Sequence, residues 1–251
     1  MLGLSTTALD REFEAWIEKV KNLGFEFIEF VSEWPHYLTH ENYRHFAEVI
    51  ESSGLKLSIH APFSDVNIGA FNERIRRASL EVLRETLEVA AQMNATVVTI
   101  HPGHCSPLSM KHRDRYLEIH RESLRRIAHW GEELGIRIGV ENMPRFPILD
   151  AQSCDRLAEL VEGIDIGVTF DVGHLNTTTA NFDRFLELLG DRVVHIHLHD
   201  NLGERDEHLP LGDGVVPWEK LLPKLPKVTK ALEVADIKSA GKSLKFLKSL
   251  H

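Results

Sequence analysis

The stretch Ile164-Asp165-Ile166-Gly167-Val168-Thr169-Phe170-Asp171-Val172-Gly173-His174 decides how this chain is read. Its nearly unbroken apolar, β-branched run fits a strand buried on both faces, as a parallel sheet covered by helices requires. The run then ends in a carboxylate, with an imidazole three residues on. The same pattern repeats in both directions. Apolar runs occupy residues 2–5, 25–31, 55–60, 95–101, 136–141, 164–171, 192–198 and 228–234.

Amphipathic segments lie between them. Tyr116, Ile119, Ser123, Ile127, Trp130 and Leu134 recur at helical steps, as do Ile75, Ala78, Val82, Thr86, Val89 and Met93. Gly24, Gly54 and Gly135 fall between a helical pattern and the next strand, where a helix C-terminal glycine belongs. A Lys-rich amphipathic stretch over 237–250 closes the series. Strand then helix, eight times, predicts an α/β fold, a (β/α)₈ TIM barrel. The 251 residues suit that fold, and no linker divides them, so one domain over 1–251 is expected. No Gly-rich phosphate fingerprint follows the first strand, which argues against an open doubly wound sheet. The longest irregular segment, 199–217, is expected to be functional.

Composition narrows the partners. A formal net charge of −9 provides no global field to attract nucleic acid, although a local basic rim is compatible with it. Two cysteines, Cys105 and Cys154, are too few for a disulfide framework and fit a reducing, cytoplasmic setting. The start lacks a basic, apolar leader, and no run approaches the length of a membrane span.

Barrel enzymes place their chemistry where strands end. Here six consecutive strand ends carry a His or an acid: His60, His101, Glu141, Asp171, His197 and Glu233. His174 follows Asp171, and the 199–217 loop adds Asp206 and His208. Any one of these alone could be a hydrogen-bonded structural residue. Converging together, the carboxylates would repel one another and lose solvation unless cations lay between them. Imidazole with carboxylate suits divalent ions, Zn first and Mn second. His195, His197 and His199 share one strand face by alternation. His36, His40, His45, His112, His120, His129 and His251 read as surface or packing residues, whereas His104 and Cys105 lie close enough to line the mouth.

The motifs His60-Ala61-Pro62, His101-Pro102-Gly103, Glu141-Asn142, Asp171-x-x-His174, His197-Leu198-x-Asp200, Asp206-x-His208 and Gly212-Asp213-Gly214 resemble those of the xylose-isomerase-like superfamily. Its branches include endonuclease IV and the sugar or sugar-phosphate isomerases and epimerases. The resemblance implies a shared four-ligand site of Glu141, Asp171, His197 and Glu233. It further implies that His60, His101, His174, Asp206 and His208 match additional ligands of a three-metal cluster bridged by Glu141. His197 is preferred over His199 because it matches the H-L-x-D pattern. His195 would then point inward, and His199 would contact the ligands or the substrate.

Two activities compete for this set. The complete ligand set favours metal-dependent phosphoester hydrolysis with up to three ions and abasic DNA as substrate, Glu141 positioning the attacking water. The alternative is isomerisation or epimerisation of a sugar or phosphorylated small molecule, with Glu141 and Glu233 as the acid/base pair. A barrel that only binds is a third, weaker reading, because such a protein has no use for every ligand. Trp34, Phe63, His199 and Arg145 are the substrate-contact candidates. Against DNA stand Phe63, where endonuclease IV usually has Tyr, and Glu33-Trp34-Pro35-His36, where it carries an Arg-bearing loop. Few mouth cations remain for phosphates: Lys111, Arg113, Arg145 and Arg205.

Overall fold

A computed structural model describes residues 1–9 and 12–250. Eight parallel strands close into a barrel in chain order: β1 (Leu2–Ser5), β2 (Phe27–Val31), β3 (Lys56–His60), β4 (Val98–Ile100), β5 (Ile138–Glu141), β6 (Gly167–Asp171), β7 (Val193–Leu198) and β8 (Thr229–Leu232). Pairing of β1 with β8 through Leu4 and Leu232 closes the ring. All eight expected runs are strands, trimmed at their ends, so His101 and Glu233 sit one residue beyond β4 and β8.

The longer helices pack outside: α1 (Phe13–Leu23), α2 (Tyr43–Ser53), α3 (Glu73–Gln92), α5 (Arg113–Leu134), α6 (Cys154–Val161), α8 (Phe182–Leu189) and α10 (Ile237–Ser249). Shorter α4 (Pro107–Lys111), α7 (Val172–Thr178) and α9 (Trp218–Leu221) follow β4, β6 and β7. Gly24, Gly54 and Gly135 end α1, α2 and α5 at φ 87°, 74° and 67°, the left-handed turn expected of them. The α5 stripe from Tyr116 to Trp130 is buried.

The first half of the α3 stripe is corrected. Ile75 and Val82 are exposed, and the core face runs instead through Leu80, Leu83, Leu87 and Ala90. Spacing of three and four fits either register, and the three leucines and alanine bury more compactly against the sheet than β-branched side chains flanked by Arg and Glu. His120 is likewise neither superficial nor hydrogen-bonded: it is fully buried on α5, its Nδ1 3.6 Å from Asp150 Oδ2. Position 251 lies outside the described residues, so His251 is not placed. Among the described residues no helix is long and apolar enough to cross a membrane.

Candidate metal centre

Local chain geometry places the ring. Asp171 ends β6 and caps α7, its Oδ1 accepting the His174 backbone N–H at 2.6 Å. The Asp-x-x-His spacing is therefore a cap and the third helical residue, which sets both side chains on one side of a turn. Asn142 ties β5 to β6: its Nδ2 donates to Asp171 O at 2.8 Å and its Oδ1 accepts from Asp171 N at 2.9 Å. Gly173 permits a close approach, because a Cβ there would lie 2.0 Å from His199 Cε1.

Asp200 shapes the 199–217 loop. Its carboxylate accepts from Gly212 N at 3.0 Å, Val216 N at 3.1 Å and the Trp218 indole at 2.8 Å. The loop then returns Asp206 and His208 to the mouth. His208 has φ 48°, left-handed backbone that non-glycine residues seldom adopt and that clusters at functional sites.

All nine expected ligands come together, in three groups. Donor atoms of Glu141, Asp171, His197 and Glu233 lie within 4.8 Å of one another, and so do those of His60, His101 and Glu141. The third group is His174, His199, Asp206 and His208, in which His199 joins the three expected residues. Ligands around one ion at roughly 2.0–2.2 Å are roughly 3.3–4.4 Å apart, so each group is compact enough to converge on an ion, its shortest contacts opening slightly to admit one.

Glu141 serves two groups at once. Its Oε2 lies 3.2 Å from His60 Nε2 and 3.0 Å from His101 Nε2, while Oε1 lies 2.8 Å from His197 Nδ1. His197 Nδ1 also faces Asp171 Oδ2 at 3.6 Å and Glu233 Oε1 at 3.7 Å. This is the strand-seven position that the four-ligand set needs. His199 instead reaches Asp171 Oδ1 at 3.0 Å and Asp206 Oδ1 at 3.5 Å, fully buried. Its ring stacks on His208 at 4.0 Å with 12° between planes. A metal lies in the plane of each imidazole that binds it, so nearly parallel rings cannot share one ion. His199 thus steadies the two aspartates by packing against them, without a hydrogen bond to either.

The donor chemistry fits divalent ions. His60, His174 and His208 each donate Nδ1–H to a backbone carbonyl, of Ala61 (2.9 Å), Asn142 (2.9 Å) and Glu233 (3.0 Å). Each Nε2 is turned inward to the ring's carboxylates, where an ion that displaces its proton would find a ligand, the arrangement that metal-binding histidines use. Asp171 Oδ2 is buried without a hydrogen-bond partner. A buried anionic oxygen in that state is costly unless a cation meets it.

Electrostatics agree. Burial pushes the Glu141 carboxyl up, but the His197 charge and hydrogen bonds from His101, His197 and His60 hold it well below the usual range. Burial pushes Glu233 up and keeps it raised, helped by Glu29 and Glu141 and opposed by His197 and His208. Burial pushes His101 down to about 4 despite Glu141. For His208 burial acts downward, but Asp206, Glu233 and Asp171 lift it to about 9.

Two residues carry roles that the sequence left unassigned, although Asn142 stood in the Glu141-Asn142 motif. Glu29, fully buried on β2, lies 3.0 Å from His195 Nε2 and 3.1 Å from His197 Nε2. Asn142 is the bridge described above. A lone acid inside the apolar run Phe27-Ile28-Glu29-Phe30 was the available signal for Glu29, since a buried carboxylate needs a partner.

The substrate-contact candidates separate. Phe63 stacks on His101 at 4.6 Å, and Trp34 is 81% exposed. The Arg145 guanidinium donates to Thr178 O at 3.0 Å and lines a separate cavity of about 560 Å³ with Arg113, Asp150 and Arg156. Cys105 lines that cavity too. A hollow of about 780 Å³ lies near the opposite strand ends among Arg137, Asp165 and Arg192, away from the ring. The converging ligands mark the site better than cavity size does.

A closed eight-stranded barrel with converging His, Asp and Glu side chains at its mouth defines a class of TIM barrels. The chain belongs to the xylose isomerase-like TIM barrel family, whose pattern matches residues 17–250. A solved D-tagatose 3-epimerase-like protein is 34% identical, with TM-score 0.92, over 99% of this chain and 96% of that one. An uncharacterized protein of Methanocaldococcus jannaschii is also 34% identical, over 97% of this chain and 86% of its own. A probable endonuclease 4 of Mycobacterium tuberculosis is 27% identical over 78% of this chain and 73% of its own.

Proposed function

We propose that this chain is a metal-dependent isomerase or epimerase of a sugar or sugar phosphate. The observation that carries the reading is the placement of Glu141 and Glu233, from β5 and β8, around one four-ligand position. A bound divalent ion would hold adjacent substrate oxygens and acidify the carbon between them. Glu141, held ionised, is suited to take a proton, and Glu233, pushed up by burial, to return one. Stereochemistry inverts if the proton leaves one face and returns on the other.

The mouth supports a small substrate. Segments following β2, β4, β5 and β7 expose Trp34, Leu108, Phe146, Leu202 and Val215, whereas a duplex needs a row of cations. The similarity to the epimerase-like protein over nearly its full length points the same way.

The preference for phosphoester hydrolysis stated from the sequence therefore becomes the second reading. It keeps one specific observation: the His60–His101 and His174–Asp206–His208 groups flank the central four, as a multi-ion phosphate site would need. Zn is the first expectation for the ions and Mn the second.

The test is proton exchange. Metal-loaded protein is incubated in D₂O with a panel of ketopentoses, ketohexoses and their phosphates, and NMR follows deuterium entering the carbon next to the carbonyl. Exchange that Glu141→Gln and Glu233→Gln each reduce at least about 100-fold is expected. No exchange with any member, together with incision of an abasic duplex lost in Glu141→Gln, would establish the second reading instead.

A further inference from the structure

We propose that Glu29 is the positioning residue of the strand-seven ligand: it grips His197 through Nε2 so that Nδ1 points at the central ion. The inference rests on the ring being a metal centre, and it holds for either activity.

Three other histidines of the ring are fixed by the backbone. His60, His174 and His208 each donate their remote nitrogen to a backbone carbonyl. His197 differs, since it ligates through Nδ1 and its remote Nε2 lies 3.1 and 3.2 Å from the two Glu29 oxygens. A carboxylate accepts only, and both ring nitrogens face one, Nε2 at Glu29 and Nδ1 at Glu141 Oε1; once an ion displaces the Nδ1 proton, the proton that stays is the one on Nε2, and Nδ1 turns its lone pair toward the ion among Glu141, Asp171 and Glu233. Carboxylate–histidine–metal relays of this kind fix the tautomer and raise ligand basicity.

Glu29 is itself held. Its Oε2 lies 3.0 Å from His195 Nε2 and 3.5 Å from Ser58 Oγ, and His195 Nδ1 lies 2.6 Å from Thr229 Oγ1. These atoms come from β2, β3, β7 and β8, the registers aligning Glu29 with Ser58 and His195 with Thr229. All three of Glu29, His195 and His197 are fully buried. A carboxylate closed in the barrel beneath the ring cannot reach substrate, which leaves orientation of His197 as its task. The second histidine closes the space beside Glu29 by packing, not by a hydrogen bond.

The test compares wild type, Glu29→Gln and Glu29→Leu by Co²⁺ titration against a chromogenic chelator and by the visible Co²⁺ spectrum. Near-UV circular dichroism confirms that each variant is folded. Gln preserves shape but loses charge, so affinity about 10–100-fold weaker with a shifted spectrum is expected, and Leu should be weaker still. A merely structural role would lower stability and leave the spectrum of folded protein unchanged.

Should the variants not fold, ¹⁵N NMR of zinc-loaded wild type decides, with His197 Nε2–H expected protonated, low-field and slow to exchange. An unprotonated Nε2, or Gln affinity within twofold of wild type with the same spectrum, overturns the proposal alone. Wild type that binds no divalent ion overturns the metal reading and this proposal together.

Discussion

Metal loading should stabilise the protein more at high pH than at low pH, and the ring's own protons set the size of the effect. Without metal, His208 is lifted to about 9, while His174 and His197 are also held above the ordinary imidazole value. In each case burial acts downward and surrounding carboxylates overcome it. A raised group adds stability that is fully present below about 6.5, its unfolded value, and is lost as pH rises through the folded value. Metal-free protein therefore loses the His208 contribution between about pH 6.5 and 9, and those of His174 and His197 as pH rises further above 6.5 through their own raised values. Binding needs the same nitrogens unprotonated, so proton competition fades over the same window. Free metal at 100 times the dissociation constant adds about 2.7 kcal/mol. For a chain of this size that corresponds to about 5–11 °C in Tm. One displaced proton per ion changes affinity tenfold per pH unit, so moving from about pH 6.5 to 8.5 at fixed free zinc adds about 2.7 kcal/mol more. Thermal unfolding in chelator-buffered zinc at several pH values measures this. A metal-induced shift that stays constant or shrinks as pH rises would refute the linkage, and no shift at all would refute the metal centre.

Three further outcomes follow from particular contacts. Gly173→Ala places a Cβ 2.0 Å from His199 Cε1 and must displace the ring that steadies Asp171; zinc affinity should fall at least about tenfold with about 1–3 kcal/mol of destabilisation, and unchanged affinity would refute the role given to His199. Asp200→Ala leaves the Gly212 and Val216 N–H groups and the Trp218 indole unpaired; it should cost about 3–5 kcal/mol in denaturant unfolding and speed proteolysis between positions 202 and 207, whereas a neutral result would show that the loop holds itself. At Asp150 burial pushes the carboxyl up, but His120, 3.6 Å away, and Arg156, which donates at 2.8 and 2.9 Å, hold it well below the usual range. That stability is present above about pH 4, the unfolded value, and is lost as pH falls. Asp150→Asn should therefore cost about 2–3 kcal/mol at pH 7, with the gap to wild type closing below about pH 4; a gap indifferent to pH would exclude the ion pair as its source.

Parallel strands buried on both faces are legible because apolarity is their requirement on either side, so runs such as 164–171 stand out whatever their neighbours. Helix faces are less so. Ile75, Ala78 and Val82 satisfy helical spacing as well as Leu80, Leu83 and Leu87 do, and only the sheet's surface chooses between them. The ring was legible for a geometric reason: in a parallel barrel every strand presents its C-terminal end to one mouth, so a linear list of strand ends becomes a set of neighbours. The 199–217 loop obeys no such rule, and Asp206 and His208 were placed by resemblance, not by periodicity.

Glu29 shows where this way of reading stops. Strand ends announce themselves by a change from apolar to polar, but Glu29 lies before Phe30 and Val31, still inside the apolar run, and its partners are 166 and 168 residues away on β7. Nothing local tells an inward acid from an outward one when both faces of the strand are buried. The alternation of His195, His197 and His199 supplies the missing half of the inference. Three imidazoles on one inward face cannot all meet ions at the mouth, because successive members sit about 6.6–7 Å apart along the strand. The deepest must find a partner below the ring, and a buried carboxylate is the group that can hold it without an ion. On that argument the depth of a histidine along its strand, more than its motif, separates ligands from the residues that aim them. His195 and Glu29 fall on the aiming side, His197 spans both, and His199, above the ring plane, steadies Asp171 and Asp206 from the loop side.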